Sequence, residues 1–422
     1  MTGLSWRIVL APISMLLGYL ACLIPLPGLS PAGSVTLGIF VTAALLWVTE
    51  AVPLFVTSFV ILFAEVVFLG LPGGPLGLVG TQWTMFLSPF FDPIVALFFG
   101  GFVLGIAMSR YQLDLRMAGT ILARTGHSPR WILAGFMGST AFLSMWLSNT
   151  ATTVLMMAVL LPILRQMPRG DPFRKALVLG VPFAANVGGI GTPIGTPPNA
   201  IAIAALARTG IQVSFLEWMV LAVPVMLVVL AFAWWLLFAF FPPETTELAE
   251  LRVAQAMAIG FGARTVMVVF AATVLLWLTA GVHGIPEGIV ALVPVVVFFG
   301  LGLLEPEALG EVGWDVLFIV AGGISLGVAM QESGLTTWVV DRIGVGELGA
   351  VAATVVLAGI AALMTTFISN SATANLLLPI VTSLSGVSPV VAAAAVALAA
   401  SMSMTLPIST PPNAIAYGTG EV

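Results

Sequence analysis

Ser148-Asn149-Thr150-Ala151-Thr152-Thr153 and Ser369-Asn370-Ser371-Ala372-Thr373-Ala374 are two versions of one phrase, set in a chain that is otherwise lipid-compatible. A second phrase is doubled in the same order. Thr196-Pro197-Pro198-Asn199-Ala200-Ile201 returns as Thr410-Pro411-Pro412-Asn413-Ala414-Ile415. Each half therefore carries a polar, uncharged knot followed by a double-proline break. Backbone is broken at membrane depth only where it is buried in protein or lines a cavity. Interruptions at matching places in two halves point to the binding site of a secondary transporter.

Composition agrees with that setting. The 422 residues are 60% hydrophobic and 7% charged, against about 25% charged in soluble domains. The apolar runs have helix length rather than the short alternation of a barrel. This is the pattern of an all-α polytopic membrane protein. Cys22 is the only cysteine, so no internal disulfide or cysteine metal site can form. His127 and His283 fall near loops, and His127 reads as a solvated loop residue. No His/Asp/Glu cluster with metal or acid-base spacing stands at membrane depth, which argues against an enzyme. Arg7 followed by an apolar run to Leu26 reads as a first membrane helix with a cytoplasmic N-terminus, since no small-residue cleavage site follows.

Further spans fall near 34–52, 54–72, 90–108, 214–241, 265–281, 286–304 and 314–331. Segments 131–164 and 348–380 hold the Ser-Asn phrases at mid-length. Segments 176–207 and 387–418 hold the double-proline breaks. Arg110, Arg116, Arg124 and Arg130 precede 131–164, and Arg165, Arg169, Arg174 and Lys175 follow it. Cytoplasmic flanks are the basic ones, so both ends of this segment belong on one side. It reads as an inner re-entrant hairpin whose tip is Ser148-Asn149-Thr150. Arms of about 17 residues, at about 1.5 Å each, reach roughly 25 Å, enough for mid-bilayer depth. The second hairpin, 348–380, is preceded by Glu332, Asp341, Arg342 and Glu347 and is placed on the outer side. Of all the basic residues, only Arg208 and Arg342 then fall outside.

The halves also align beyond the motifs. Gly100-Gly101-x-x-Leu104-Gly105-x-Ala107-Met108 matches Gly322-Gly323-x-x-Leu326-Gly327-x-Ala329-Met330. Opposite orientation makes this an inverted repeat. The expected order is N-terminal helices at 1–89, a first half at 90–241, a cytoplasmic linker at 242–264, two helices within 265–312 and a second half at 313–422. Symmetry calls for one more spanning helix after the second break, so a final helix is expected to be missing.

Side-chain amides, hydroxyls and freed carbonyls meet at the tips without formal charge. Such oxygens suit a hard cation such as sodium. Helices that restart after a break present N–H groups to an anion. Taken singly, each motif could be helix-to-helix glue; four motifs in two aligned pairs argue for ligand sites. Glu50, Glu65, Asp92, Glu287 and Asp315 lie in or near spans, mostly at ends where capping explains them. Glu50, in Trp47-x-x-Glu50-Ala51-Val52-Pro53, is the exception expected to be buried. Trp234-Trp235 reads as an interfacial aromatic pair.

With Trp47-Val48-Thr49-Glu50-Ala51-Val52-Pro53, Ser144-Met145-Trp146-Leu147-Ser148-Asn149-Thr150, Gly195-Thr196-Pro197-Pro198-Asn199 and Thr410-Pro411-Pro412-Asn413 in order, the chain resembles the divalent anion/sodium symporter family. The resemblance implies a homodimer in a prokaryotic inner membrane, with an elevator-type division into scaffold and transport domains. It implies one sodium site from Ser144, Ser148, Asn149 and the Gly195 carbonyl. A second would use Thr365, Ser369, Asn370 and the Ser409 carbonyl. Substrate carboxylates would meet Asn149, Thr150 and Thr196 on one side, and Asn370, Ser371 and Pro411 on the other. Ser371 departs from the threonine usual in dicarboxylate-type members, which keeps the hydroxyl and leaves a slightly roomier pocket. Sodium-coupled uptake of a C4–C5 dicarboxylate such as succinate is the function these features imply. Sodium-independent exchange, or carriage of sulfate, citrate or another oxyanion, stays open at this point.

Overall fold

Serine begins the helix that follows each Ser-Asn phrase. Ser148 Oγ accepts the Ala151 N–H at 3.2 Å, and Ser369 Oγ accepts the Ala372 N–H at 3.1 Å. A side-chain oxygen at the N-cap satisfies one of the orphan donors of the first turn. Thr410 does the same for the Asn413 N–H at 3.4 Å, with Pro411 in the first-turn position where its missing N–H costs nothing. The polar phrases are thus, first of all, helix starts inside apolar sequence.

The computed structural model describes residues 4–244, 260–343, 349–384 and 388–422. Most of the linker assigned to 242–264, with Glu247, Glu250 and Arg252, lies outside the described residues, as do Glu347 and the first position of the second hairpin segment. The helices run in chain order α1 (Leu4–Leu23), α2 (Pro31–Thr49), α3 (Leu54–Glu65), α4 (Pro93–Arg110), α5 (Leu113–Leu122), α6 (Pro129–Ser144) and α7 (Asn149–Leu164). There follow α8 (Phe173–Gly189), α9 (Pro197–Arg208), α10 (Phe215–Phe240), α11 (Phe261–Leu278), α12 (Ala280–His283), α13 (Glu287–Val290) and α14 (Leu292–Gly300). The last are α15 (Trp314–Glu332), α16 (Leu335–Ile343), α17 (Ala350–Phe367), α18 (Asn370–Val381), α19 (Pro389–Ser401) and α20 (Pro411–Tyr417). No strand occurs among the described residues. Five helices there, α2, α4, α10, α11 and α15, are long and apolar enough to cross a bilayer.

Two stretches taken only as connections in the sequence contain helices. α5 and α16 follow α4 and α15 at corresponding places, each beginning shortly after the glycine-rich helix before it ends. Both mix charged and apolar residues (Asp114 and Arg116; Asp341 and Arg342), which is why a search for uniformly apolar spans passes over them.

The chain divides into two compact units. One comprises residues 1–95, 197–213 and 313–400, and the other 96–196, 214–312 and 401–422. In the first, α15 packs on α3, α18 and α9, while α2 packs on α1 and α3. Its core gathers Trp47, Ile61, Leu69, Phe86, Leu326, Met330 and Leu376. Trp47 is fully buried and donates its indole N–H to the Leu54 carbonyl at 3.2 Å. Gly322 lets α15 lie against α3, because a Cβ there would stand 2.3 Å from the Ser58 Cβ. In the second unit, α8 is the central element and touches α6, α7, α10 and α20. α10 opens with a capping box in which Ser214 and Glu217 bond each other's backbone N–H groups.

Candidate functional site

α6 ends at Ser144 and α7 begins at Asn149, so the chain reverses through Met145-Trp146-Leu147-Ser148. That reversal sets the side chains of residues 144 and 149 face to face. Ser144 Oγ lies 2.6 Å from Asn149 Oδ1 and 2.8 Å from the carbonyl of Ala185 on α8. The other unit repeats the arrangement. Thr365 Oγ1 on α17 lies 2.7 Å from Asn370 Oδ1 at the start of α18, and 2.6 Å from the carbonyl of Ala400 on α19. Ser144 and Thr365 are buried.

Each triad thus joins a hydroxyl, an amide oxygen and a main-chain carbonyl. A hydroxyl has one proton to give, and here it faces two acceptors. A cation among these oxygens would relieve the surplus, and hard cations are held by such neutral oxygens. The residues present therefore fit a sodium ion. Gly189 keeps the first triad accessible: a Cβ at that position would meet Asn149 Oδ1 at 2.6 Å and the Gly195 carbonyl oxygen at 3.1 Å. Asn149 and Gly195, paired in the sequence reading, accordingly converge on one spot in this unit.

The remaining expected residues divide as follows. Ser148 and Ser369 spend their hydroxyls on helix caps, so their contribution to an ion would come from other lone pairs. Thr196 is buried, Thr150 exposed and Asn149 half-buried, all in the second unit. Asn370 and Ser371 are half-buried in the first unit. Ser409 and Pro411 belong to the second unit, with Pro411 exposed.

Sequence reasoning missed Ala185 and Ala400. Their contribution is a carbonyl, and an alanine in an alanine-rich helix carries no mark of it. It also chose the wrong buried acid. Glu50 is exposed and sits in a left-handed conformation at the end of α2, with φ of 47°. Glu65 is the fully buried carboxylate. Its Oε2 accepts from Ser325 Oγ, whose oxygen also lies 2.9 Å from the Phe86 carbonyl. The physical reason is register: Glu65 falls on the α3 face covered by α15, whereas Glu50 caps a helix end.

Arg174 on α8 supplies a further anchor in the second unit. Its guanidinium is buried, reaches the carbonyls of Leu164 and Met167, and donates from Nε to Glu421 at 2.9 Å. This ties the end of α7 to the segment after α20.

Comparison with known proteins places these motifs in one family. The chain is 35% identical to an uncharacterized transporter of Schizosaccharomyces pombe over 89% of its own length, and spans 44% of that protein. It is 31% identical to the sodium-dependent dicarboxylate transporter SdcS of Staphylococcus aureus (strain USA300), covering 97% of this chain and 85% of SdcS. The family model described as the sodium:sulfate symporter transmembrane region matches residues 4–422. The chain is a transporter of integral membrane type rather than an enzyme, and it belongs to the sodium:sulfate symporter family, the divalent anion/sodium symporters.

Proposed function

We propose that this protein couples sodium entry to uptake of a C4–C5 dicarboxylate of the succinate type. The observation that carries the reading is the duplicated triad: Ser144 Oγ, Asn149 Oδ1 and the Ala185 carbonyl, answered by Thr365 Oγ1, Asn370 Oδ1 and the Ala400 carbonyl. Each is a neutral oxygen cradle suited to one sodium ion. The family resemblance assigns the Gly195 carbonyl to the first set and the Ser409 carbonyl to the second. Asn149, Thr150 and Thr196, with Asn370, Ser371 and Pro411, hold the substrate carboxylates. The starts of α7 and α18 each offer N–H groups and a positive dipole end to an anion. Cation and dianion then neutralise each other without a lysine or arginine at the site. The sodium dependence and dicarboxylate substrate of the staphylococcal relative support this choice of ions.

In the same reading the chain works as a homodimer in the inner membrane, its N-terminus in the cytoplasm. The two halves form an inverted repeat, and the hairpins α6–α7 and α17–α18 travel with the broken helices as an elevator. Thermal stabilisation of the purified protein by sodium and succinate, singly and together with potassium as control, tests the coupling. Succinate stabilisation that requires sodium is the expected result. Equal stabilisation in potassium would replace symport by exchange, and sulfate or citrate acting in place of succinate would replace the substrate.

A further inference from the structure

Glu65 closes α3 and is fully buried, among helices whose core gathers Ile61, Leu69, Phe86 and Leu326. A carboxylate in such surroundings is costly unless something pairs it. Its Oε2 accepts from the Ser325 hydroxyl of α15, and its Oε1 is buried with no hydrogen-bond partner. Ser325 Oγ also lies 2.9 Å from the Phe86 carbonyl. Phe86 ends the short helical stretch Gln82–Phe86, and the last carbonyls of a helix have no partner within it. Gly70 lets that stretch lie against the end of α3, since a Cβ there would stand 2.9 Å from the Trp83 Cβ and 3.3 Å from Phe86 Cε2. All of these residues belong to one unit.

Proton counting leaves the cluster short. The hydroxyl has one proton and faces two acceptors, an ionised carboxylate has none to give, and Oε1 receives nothing. Charge counting gives the same result. Arg208 on α9, in the same unit, acts through its charge on both Glu65 and Asp92. It forms no ion pair with either among the described residues, and its Nη1 has no hydrogen-bond partner. One guanidinium shared between two carboxylates leaves a single negative charge over. A single bound cation settles both counts. One carboxylate with a hydroxyl and a carbonyl is a hard, all-oxygen donor set carrying one charge, which suits a monovalent ion. No group of three or more His, Cys, Asp and Glu that would hold a heavier metal occurs among the described residues.

The cluster is not a copy of either triad. Aligning Gly322-Gly323 with Gly100-Gly101 sets Ser325 against Val103, which has no side-chain oxygen to offer. Glu65 also stands where α3 passes into a π-helical turn, Val66–Gly70, a widening that recurs at functional sites.

We propose that Glu65, Ser325 and the Phe86 carbonyl form a monovalent-cation site of sodium type, separate from the two hairpin triads. It goes beyond the transport reading and depends on neither triad.

The test is equilibrium binding of radiolabelled sodium to the purified protein, with choline as the background cation, for the wild type, Glu65→Gln, Ser325→Ala, Asn149→Ala and the double variant of Glu65→Gln with Asn149→Ala. Glu65→Gln keeps the side-chain shape, removes the charge and is expected to lose one sodium per chain at saturation. In choline alone it melts no lower than the wild type, because the uncompensated charge is gone; in sodium the wild type melts higher. Ser325→Ala keeps the charge and raises the sodium concentration for half-filling of this site by about tenfold or more. The losses of Glu65→Gln and Asn149→Ala add, as for separate sites. Undiminished sodium binding in Glu65→Gln, with an unshifted curve in Ser325→Ala, would show that a proton or a water fills the cluster, and overturns the inference alone. So does a double variant that loses no more sodium than Asn149→Ala. A wild type that binds no sodium overturns the symport reading and this inference together.

Discussion

Ser144 Oγ stands 2.6 Å from Asn149 Oδ1, across a chain reversal that leaves the two residues five apart in sequence. Thr365 and Asn370 repeat that relationship at 2.7 Å with the same five-residue spacing. A hydroxyl and an amide oxygen at this distance, each with a main-chain carbonyl near by, form an arrangement that favours a cation. Asn149→Ala and Asn370→Ala are each expected to lower sodium-dependent succinate uptake by at least about tenfold, since even outer-shell partners of a bound ion are worth that much. Wild-type uptake in either variant would remove that residue from the site.

Gly189→Ala tests the close approach on the first triad. The added methyl would sit 2.6 Å from Asn149 Oδ1, so Asn149 must move. Overpacking of this kind costs about 1–3 kcal/mol. A weaker sodium affinity is expected with only a modest loss of melting temperature. Unchanged sodium affinity in a titration of thermal stability would show that the glycine serves packing alone.

Ser325→Ala is expected to destabilise the first unit. It removes the donor that reaches Glu65 Oε2 and leaves that oxygen buried without a partner, while Oε1 already lacks one. An unsatisfied buried acceptor costs about 1–3 kcal/mol, more when charged. The double variant Ser325→Ala, Glu65→Leu should recover part of the loss. A melting temperature for the double variant below that of Ser325→Ala would contradict this account.

Arg174→Ala removes a buried guanidinium that holds two main-chain carbonyls and the Glu421 carboxylate. Breaking a buried pair by deleting one partner costs about 3–5 kcal/mol. Glu421→Gln keeps an acceptor for the guanidinium and should cost less. Chemical or thermal unfolding in detergent ranks the two, and a Glu421→Gln protein less stable than Arg174→Ala would refute the arrangement.

Ser371→Thr bears on substrate size. The extra methyl narrows the pocket assigned to the dicarboxylate, and one methylene in a pocket is worth about 1–3 kcal/mol of discrimination. Competition by five-carbon dicarboxylates should weaken against labelled succinate by several-fold. Identical competition profiles would place residue 371 away from the substrate.

Helical content, the broken stretches and the family were legible because membrane depth allows few solutions. A run of apolar residues there must be helical, and a polar phrase with two prolines must interrupt it. The duplication made those interruptions conspicuous. Less legible were α5 and α16, whose mixed composition resembles a connecting loop, and the identity of the buried acid, since nothing in Trp47-x-x-Glu50 shows that the helix ends in a left-handed turn at Glu50.

The sequence by itself determined which residue types stand at the two tips and that they occur in pairs, because side-chain chemistry and repetition are written in the chain. Only the tertiary structure decided which backbone oxygens join them. Ala185 and Ala400 contribute carbonyls that every residue possesses, and their selection depends on how α8 packs beside α6 and how α19 lies by Thr365. The reach of Asn186 to Thr410 and Asn413 is of the same kind. Residues more than two hundred positions apart meet there because α20 packs on α8, a contact set by shape rather than by any local pattern.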